Sequence, residues 1–197
     1  MSSKRDLEFL YEIGCLRFIP RSWKHFYNAD FQNLAEHHVR VVWLALMIAA
    51  REGKGNHEKI MKMALIHDVA ESRTNDLDYV SRQYATRDED KALKDIIAET
   101  SIENDFTTIW KEYEKRNSIE SKIVKDADTL DVDLELQEQE AQGNKLKHLW
   151  DRKVVRDTLY TKAAKEMWDE IQVSNPHDWH LYARNRFNIG DWKKKKK

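Results

Sequence analysis

Two histidines and two aspartates occupy positions where the core of a helical protein would otherwise be apolar. They lie in three separate segments, His37 in LAEHHVRVVWLALMIAA, the pair His67-Asp68 in KIMKMALIHDVAES, and Asp128 in ESKIVKDADTLDVDLEL. A buried polar side chain is costly unless it is hydrogen-bonded, paired or bound to a metal ion. Each residue alone has an ordinary explanation, as a satisfied core histidine or a hydrogen bond between packed helices. Together they predict one shared polar centre.

Two imidazoles and two carboxylates make a mixed nitrogen and oxygen donor set. Such a set suits Mn, Fe, Co, Ni or Zn better than Ca, so we expect one divalent transition metal ion without assigning its identity. Four protein ligands around a six-coordinate ion leave two positions for water and a substrate oxygen. Open positions distinguish a catalytic metal site from a closed structural one.

Helices must position these side chains, because apolar residues recur at helical spacing over most of the chain. A first helix is predicted from Leu7 to Leu16, before an irregular stretch from Ile19 to Asp30. A second runs from about Asn33 to Glu52 and ends at Gly53-Lys54-Gly55. Asn56 is the predicted N-cap of a third helix. One face of that third helix carries Ile60, Met63, Ala64, His67 and Glu71.

A polar loop, Ser72 to Asp78, and a variable region that extends to Arg87 follow the third helix. After them, apolar residues again recur at helical spacing. Two amphipathic segments follow, then a long helix from Ser118 to Gln142 and a last one from Val155 to Ile171 that ends before Pro176. No internal repeat or linker interrupts the series. The sequence therefore predicts an all-α fold, a single compact helical bundle.

Composition agrees with this fold and restricts the cellular setting. The chain has 197 residues, of which 41% are hydrophobic and 35% charged, and it has five glycines and two prolines. Strand-and-turn folds need more glycine and proline. A net charge of −1 argues against a specific nucleic-acid binder. Cys15 is the one cysteine, which fits a reducing cytoplasm, and no apolar run is long enough to cross a membrane.

The C-terminal segment differs from the rest of the chain in charge. From Arg184 onward the chain has seven basic residues and one acidic residue, Asp191. The basic residues are Arg184, Arg186 and Lys193 to Lys197. We predict a catalytic domain over residues 1–183 and a basic tail over 184–197. The tail is either a solubilising segment or a binder of polyanions.

The order of these blocks resembles that of the HD-domain metal-dependent phosphohydrolases. One His, then an adjacent His-Asp pair, then a distant Asp, all on helices, is that family's pattern. The strings AEHHVRVVWLALMIA, MALIHDVAES and IVKDADTLD are most similar to the bacterial HD-domain 5′-deoxynucleotidases and the eukaryotic HD-domain-containing protein 2 family. The resemblance covers about residues 16 to 145.

The resemblance implies roles for individual residues. The metal ligands would be His37, His67, Asp68 and Asp128. Glu71 matches the catalytic glutamate, and Asp76 a second acidic residue across the site. The spacing of four after His67 predicts that Glu71 projects from the same helical face and can orient a water molecule, although a polar residue at a helix end is the ordinary alternative. Arg21 and Trp23 match substrate contacts, a guanidinium for phosphate and an indole for a base.

Two departures from the family pattern affect the expected site. The family usually has Ser after its first metal-binding His, whereas this chain has His38. His38 lies about 100° from the ligand face, so we expect a packing or supporting group rather than a ligand. The family's Thr-Gly-Asp loop reads Thr74-Asn75-Asp76, and Asn tolerates left-handed backbone better than most residues.

The function that these features imply is hydrolysis of a (deoxy)nucleoside 5′-monophosphate to nucleoside and phosphate. Two alternatives remain, a triphosphohydrolase that acts on dNTPs and a regulatory or nucleotide-binding module without turnover. A di-iron oxygenase would need further histidines, and the sequence from Val69 to Ala127 has none. The expected partner is a small nucleotide, without membrane or specific nucleic acid, and the resemblance to this branch implies a homodimer.

Overall fold

The computed structural model describes residues 3–27, 30–150 and 152–182. Within these ranges the chain forms helices and turns without a β-strand, apart from one isolated antiparallel bridge between Pro20 and Asn33. The predicted all-α fold is confirmed. The predicted basic tail, residues 184–197, lies outside the described residues. No described helix is both long and apolar enough to cross a bilayer.

The helices follow one another with short connections. In chain order they are α1 (Ser3–Gly14), a 3₁₀ turn (Cys15–Phe18), α2 (Lys24–Tyr27), α3 (Leu34–Glu52), α4 (His57–Ile66), α5 (Glu71–Thr74), a 3₁₀ turn (Ser81–Gln83), α6 (Glu89–Ile97), α7 (Glu103–Lys115), α8 (Ile119–Ala141), a 3₁₀ turn (Leu146–Leu149), α9 (Lys153–Thr158), α10 (Lys162–Val173) and α11 (Asp178–Leu181).

Local capping fixes where the central helices begin and end. Asn33 caps α3 in a capping box, because its side chain accepts from the amide of Glu36 while the Glu36 carboxylate accepts from the amide of Asn33. Gly53 ends α3 with φ of 64°, a left-handed conformation that favours glycine. Asn56 caps α4 through the amide of Lys59, as predicted. These caps fix the register of the helices that carry the polar centre.

The hydrophobic core lies where α3 packs against α4 and α8, with α10 packed against both α8 and α3. Each of these helices contributes buried aliphatic side chains. They include Leu44 and Ile48 on α3, Ile60 and Met63 on α4, Ile123 and Leu130 on α8, and Met167 and Ile171 on α10. His37 and Asp128 therefore project from helices that pack against each other in the core.

The third predicted helix is shorter than expected, since α4 ends at Ile66 and Glu71 begins the separate helix α5. The segment between them forms tight turns, in which the amides of Val69 and Glu71 donate to carbonyls three residues back. The ring of His67 donates to the carbonyl of Ala64, which the next helical amide would otherwise use. The prediction that one continuous helical face carries both His67 and Glu71 was wrong for this reason.

The last predicted helix is also divided, into α9 and α10. The carboxylate of Asp126 accepts hydrogen bonds from the amides of Tyr160 and Thr161, both at 2.8 Å. These bonds hold an extended segment between the two helices. The hydroxyl of Thr161 then caps α10 by accepting from the amide of Ala164. The predicted loop from Ser72 likewise begins inside the short helix α5.

Candidate metal centre

Four side chains from three parts of the chain converge on one point. α3 provides His37, the turn after α4 provides His67 and Asp68, and α8 provides Asp128. One ligand atom from each lies within 4.8 Å of all the others. The His37 Nε2 atom is 3.2 Å from His67 Nε2. It is 3.3 Å from a carboxylate oxygen of Asp128 and 3.5 Å from one of Asp68.

These separations fit a common metal ion. Nitrogen and oxygen ligands lie about 2.0–2.2 Å from Zn²⁺, so neighbouring ligand atoms are about 3.0–3.5 Å apart. The carboxylates of Asp128, Asp131 and Asp68 raise the pKa of His37 to about 10, although burial and Arg21 oppose this change. The centre therefore attracts a cation. All four residues that the sequence predicted as ligands are together.

Both imidazoles are oriented by their second nitrogen. His37 Nδ1 lies 2.6 Å from a carboxylate oxygen of Asp131, and His67 Nδ1 lies 2.7 Å from the carbonyl oxygen of Ala64. Each acceptor requires a proton on Nδ1, so Nε2 is the nitrogen that faces the centre and would bind the metal ion, in His37 after the loss of its second proton. Such outer partners fix the tautomer and ring orientation of metal-binding histidines.

Asp131 is fully buried and anchors a second polar network behind His37. Its carboxylate accepts from Gln32 Nε2 at 2.5 Å and from Nε of Arg40. Arg40 also binds both carboxylate oxygens of Glu138, at 2.8 and 2.9 Å. Burial alone would raise the pKa of Asp131, but His37 and Arg40 hold the pKa below its usual range. Sequence reasoning missed Asp131, although it follows Asp128 by one helical turn in the same motif.

Glu71 lies beside the centre with one oxygen hydrogen-bonded and the other free of hydrogen bonds in the described chain, although Nη1 of Arg21 lies 3.9 Å from it. Its Oε1 accepts from Nη1 of Arg87 at 2.7 Å. Its Oε2 is buried without a hydrogen-bond partner among the described residues. Burial, together with the charges of Asp68 and Asp76, raises the pKa of Glu71 to about 9. A bound cation would lower this pKa, since it would offset the carboxylate charge.

Arg21 and Asp76 form the other wall of the site. Nη1 of Arg21 is 3.3 Å from Asp76 Oδ2 and 3.4 Å from Asp68 Oδ2. The amide of Ser22 donates to the same Asp76 oxygen at 2.9 Å. Arg21 is almost fully buried, yet its Nε has no partner among the described residues. It therefore joins the segment before α2 to the loop after α5.

Trp23, the other predicted substrate contact, lies in a separate aromatic cluster. It packs partly buried against Tyr27 and Phe31, and its ring contacts Trp150 edge-on at 5.4 Å between centroids. It is not among the described residues that line the cavity at the metal centre. The role of Trp23 with substrate stays a prediction.

His38 is buried beside the metal centre but is not one of the four candidate metal ligands. Its Nδ1 lies 2.7 Å from the carbonyl oxygen of Leu34, and its ring centroid is 4.8 Å from that of His67. Its Nε2 has no partner in the described chain. Burial, and next the charge of His67, lowers the pKa of His38 to about 3, so it packs as a neutral ring.

Asn75 adopts a backbone conformation that the sequence did not predict. Its φ of 60° and ψ of 157° lie outside the left-handed helical region, in a region essentially restricted to glycine. The carbonyl of Asn75 accepts from Arg87 at 2.9 Å, and its amide donates to the carbonyl of Glu71 at 2.9 Å. This strained residue directs the following Asp76 towards Arg21.

Basic side chains that sequence reasoning did not identify surround the centre. The cavity has a volume of about 200 Å³, and its lining is Arg21, His67, Asp68, Glu71, Asp76, Arg82, Arg87, Glu89, Tyr113, Glu114, Arg116, Lys125 and Asp128. A larger cavity of about 810 Å³ lies elsewhere and contains none of the four ligands. The charged and metal-binding side chains that line the smaller cavity therefore identify the candidate site, although the other cavity has the greater volume. Lys125 lies inside the IVKDADTLD motif, but no sequence signal marked the three other new basic residues.

The helical fold and the mixed imidazole and carboxylate centre are those of a metal-dependent hydrolase. Residues 13–172 match the model of the HD domain family, HD_3. The 5′-deoxynucleotidase HDDC2 of Danio rerio is 31% identical over 140 residues, covering 68% of this chain and 69% of the relative. A 5′-deoxynucleotidase of Photorhabdus laumondii is 26% identical, covering 86% and 98%.

A solved structure shares this fold. A conserved hypothetical protein from Pyrococcus furiosus has a TM-score of 0.71 at 25% identity, covering 84% of this chain and 98% of that chain. The chain belongs to the HD domain family. It is a metal-dependent phosphoric ester hydrolase, and the predicted enzyme class is confirmed.

Proposed function

We propose that this protein hydrolyses (deoxy)nucleoside 5′-monophosphates to nucleoside and phosphate, with one divalent transition metal ion bound by His37, His67, Asp68 and Asp128. The observation that carries the proposal is the convergence of these four ligands beside the free carboxylate oxygen of Glu71. Two relatives that are named 5′-deoxynucleotidases support the substrate class.

The metal ion, when bound, supplies a Lewis acid that offsets negative charge on the phosphoryl group. Glu71 Oε2 accepts a proton from the water that attacks phosphorus, and the bond from phosphorus to the 5′ oxygen breaks. Arg87 holds the other oxygen of Glu71 and so fixes the direction of the free one. Asp76 has two candidate roles, protonation of the leaving 5′ oxygen or a hydrogen bond to the sugar.

Substrate phosphate needs positive charge to balance its own, and the cavity supplies it. Arg21 contributes a buried guanidinium at one wall. Arg82, Arg87 and Lys125 add further cations to the lining. A planar guanidinium binds two phosphate oxygens at once, which gives both affinity and orientation. Because acidic and basic side chains line the same small cavity, it can bind both a metal ion and the phosphate group of the substrate.

The alternatives differ in their products. A dNTP triphosphohydrolase would use the same ligand set and release triphosphate rather than phosphate. A binding module without turnover would be expected to lack a ligand or the glutamate, and this chain retains His37, His67, Asp68, Asp128 and Glu71. The retained residues favour an enzyme over a binding module, and the relatives named 5′-deoxynucleotidases favour the 5′-monophosphatase over the triphosphohydrolase.

The proposal extends to the setting in which the enzyme acts. A small nucleotide is the proposed partner, without specific nucleic-acid binding, because the net charge of the chain is −1. The free cysteine, Cys15, is exposed, which suits a reducing cytoplasm. We also propose a catalytic domain over residues 1–183, a tail over 184–197, and a homodimer, the last by likeness to this branch.

A substrate panel tests the proposed function. Purified protein is supplied with Mn, Co or Zn and then with deoxynucleoside mono-, di- and triphosphates, and the products are separated by chromatography. We expect nucleoside and inorganic phosphate from monophosphates. Triphosphate release from dNTPs would support the first alternative instead, and binding without any product would support the module.

A further inference from the structure

Arg116 has a conformation that its contacts do not explain. It follows α7 with φ of 51° and ψ of 26°, the left-handed position after a helix that glycine usually occupies. A side chain raises the energy of this conformation, so an arginine here carries a cost. Among the described residues, Asn75 and Glu99 are the other non-glycine residues with positive φ.

The contacts of Arg116 are all local in the described part of the chain. Its guanidinium lies over the Tyr113 ring at 3.3 Å from the centroid and donates to the Tyr113 carbonyl. Its ion pair is with Glu114, at 3.5 Å and partly exposed. Arg152, by contrast, binds both carboxylate oxygens of Asp133 and so joins two distant segments. Arg116 caps the end of α7 through these contacts but, unlike Arg152, joins no separate elements.

Its position leads to the metal centre. Arg116 lines the same cavity as His67, Asp68 and Asp128, three of the four ligands, and its side chain keeps 24% exposure. The Tyr113 ring beneath it is buried and meets the His67 ring edge-on at 6.1 Å. The Tyr113 ring therefore lies between the guanidinium and the metal ligand His67, and the groups that pair with the guanidinium are the Tyr113 carbonyl and the Glu114 carboxylate.

We propose that Arg116 binds the phosphate group of the substrate from the junction between α7 and α8. This inference rests on the proposed function and adds a specific phosphate-binding residue to it. The left-handed backbone directs the side chain to the cavity, and the strain is retained because phosphate binding requires that direction. Arg21 is held by carboxylates of the site, whereas Arg116 has a weak local ion pair that phosphate can replace.

Arg116→Gly tests the proposal because the substitution should preserve or raise thermal stability while it weakens phosphate binding. Glycine relieves the strained backbone, so Tm should equal or exceed that of the parent. The KM for a nucleoside monophosphate and the inhibition constant of inorganic phosphate should each rise about 10- to 100-fold. The kcat and the metal content should stay close to the parent values, because the residue binds phosphate equally before and during the reaction.

Glu99→Gly is the matched control, since Glu99 has φ of 61° and is exposed outside the cavity. It should raise Tm in the same way and leave KM and phosphate inhibition unchanged. Arg116→Lys should recover part of the phosphate affinity, and Arg116→Asn, which also tolerates the left-handed conformation, should behave like the glycine variant. Unchanged phosphate affinity in the glycine and asparagine variants, or equal loss in Glu99→Gly, would overturn the proposal.

Calorimetric titration of inorganic phosphate into parent and variant separates this proposal from the proposed function. Weaker phosphate binding in Arg116→Gly would support the inference even for a parent that hydrolyses no nucleotide. A parent that hydrolyses monophosphates and a variant that binds phosphate equally well would leave the proposed function standing and contradict the role of Arg116.

Discussion

Asp131 accepts a hydrogen bond from Nδ1 of His37 at 2.6 Å, and both side chains are fully buried on facing helices. The bond fixes the proton of His37 on Nδ1 and directs Nε2 to the metal centre. The metal centre therefore depends on Asp131, although Asp131 is not one of the four residues that would bind the metal ion. Asp131 is held in turn by Gln32 and Arg40, so the orientation of His37 is set by three elements of the fold.

Asp131→Ala should weaken metal binding by about 10- to 100-fold, the usual effect of removing an outer partner of a metal-binding histidine. Isothermal titration with Co²⁺ or Zn²⁺ measures it. Asp133→Ala is the control, because Asp133 lies on the same helix but pairs with Arg152 away from the centre. The control should lose stability and keep its metal affinity. Equal metal affinity in the two variants would contradict the role of Asp131.

Asp68→Ala should lose both the metal ion and phosphatase activity while its helical circular dichroism is retained. Asp68 provides a carboxylate within the group of four and lies in a turn rather than in a core helix. Its removal therefore reduces the donor set without a large cavity. Atomic absorption and phosphate release, measured on the same preparation, give the result. Full activity in this variant would show that the ligand assignment is wrong.

Glu71→Gln should keep the metal ion and lose about 10²- to 10⁴-fold in rate, the range for a positioned general acid–base group. Glutamine preserves size and the hydrogen bond from Arg87 but cannot take a proton. Metal content and kcat are the two measurements. Loss of the metal would make Glu71 a ligand or its support. Parent-like turnover would place the base elsewhere, with Asp76 as the next candidate.

Asn75→Gly should raise Tm by about 2–4 °C, which corresponds to about 1 kcal/mol for a chain of this size. The backbone of Asn75 has φ of 60° and ψ of 157°, which glycine adopts without strain. Asn117→Gly is the control, because Asn117 is exposed and not among the described residues with positive φ. It should lower Tm. A lower Tm in Asn75→Gly as well would mean that no strain is stored at Asn75.

Deletion of Lys193 to Lys197 should leave the turnover of a mononucleotide unchanged. All four predicted ligands lie at or before Asp128, and a small substrate does not need a polycationic tail. Steady-state kinetics at two salt concentrations test this. A large salt-sensitive loss of activity would show that the tail recruits a polyanionic substrate.

The sequence predicted those parts of the structure whose signals are local. Asn33, Gly53 and Asn56 mark helix ends because a cap satisfies backbone groups within a few residues. The order of one His, a His-Asp pair and a later Asp also identified the four residues that converge. Helix caps and candidate metal-binding side chains can both be predicted from short segments of the sequence, without knowledge of the fold.

Interactions between distant residues explain what the sequence did not predict. The break before α10 depends on the carboxylate of Asp126, which lies 35 residues before Thr161 in the chain. Arg87 and Arg116 reach the cavity only after α6 and α7 have packed. No periodic pattern marks a cation whose partner lies across the fold.

The central claim is that one metal ion, bound by His37, His67, Asp68 and Asp128, is required for phosphate ester hydrolysis. The most direct test adds Co²⁺ or Mn²⁺ stepwise to chelator-treated protein and measures bound metal and phosphate release from a deoxynucleoside 5′-monophosphate in each sample. We predict that activity rises in proportion to bound metal and reaches its maximum at about one ion per chain. Full activity in the chelator-treated protein, or a maximum that requires two ions per chain, would contradict the account.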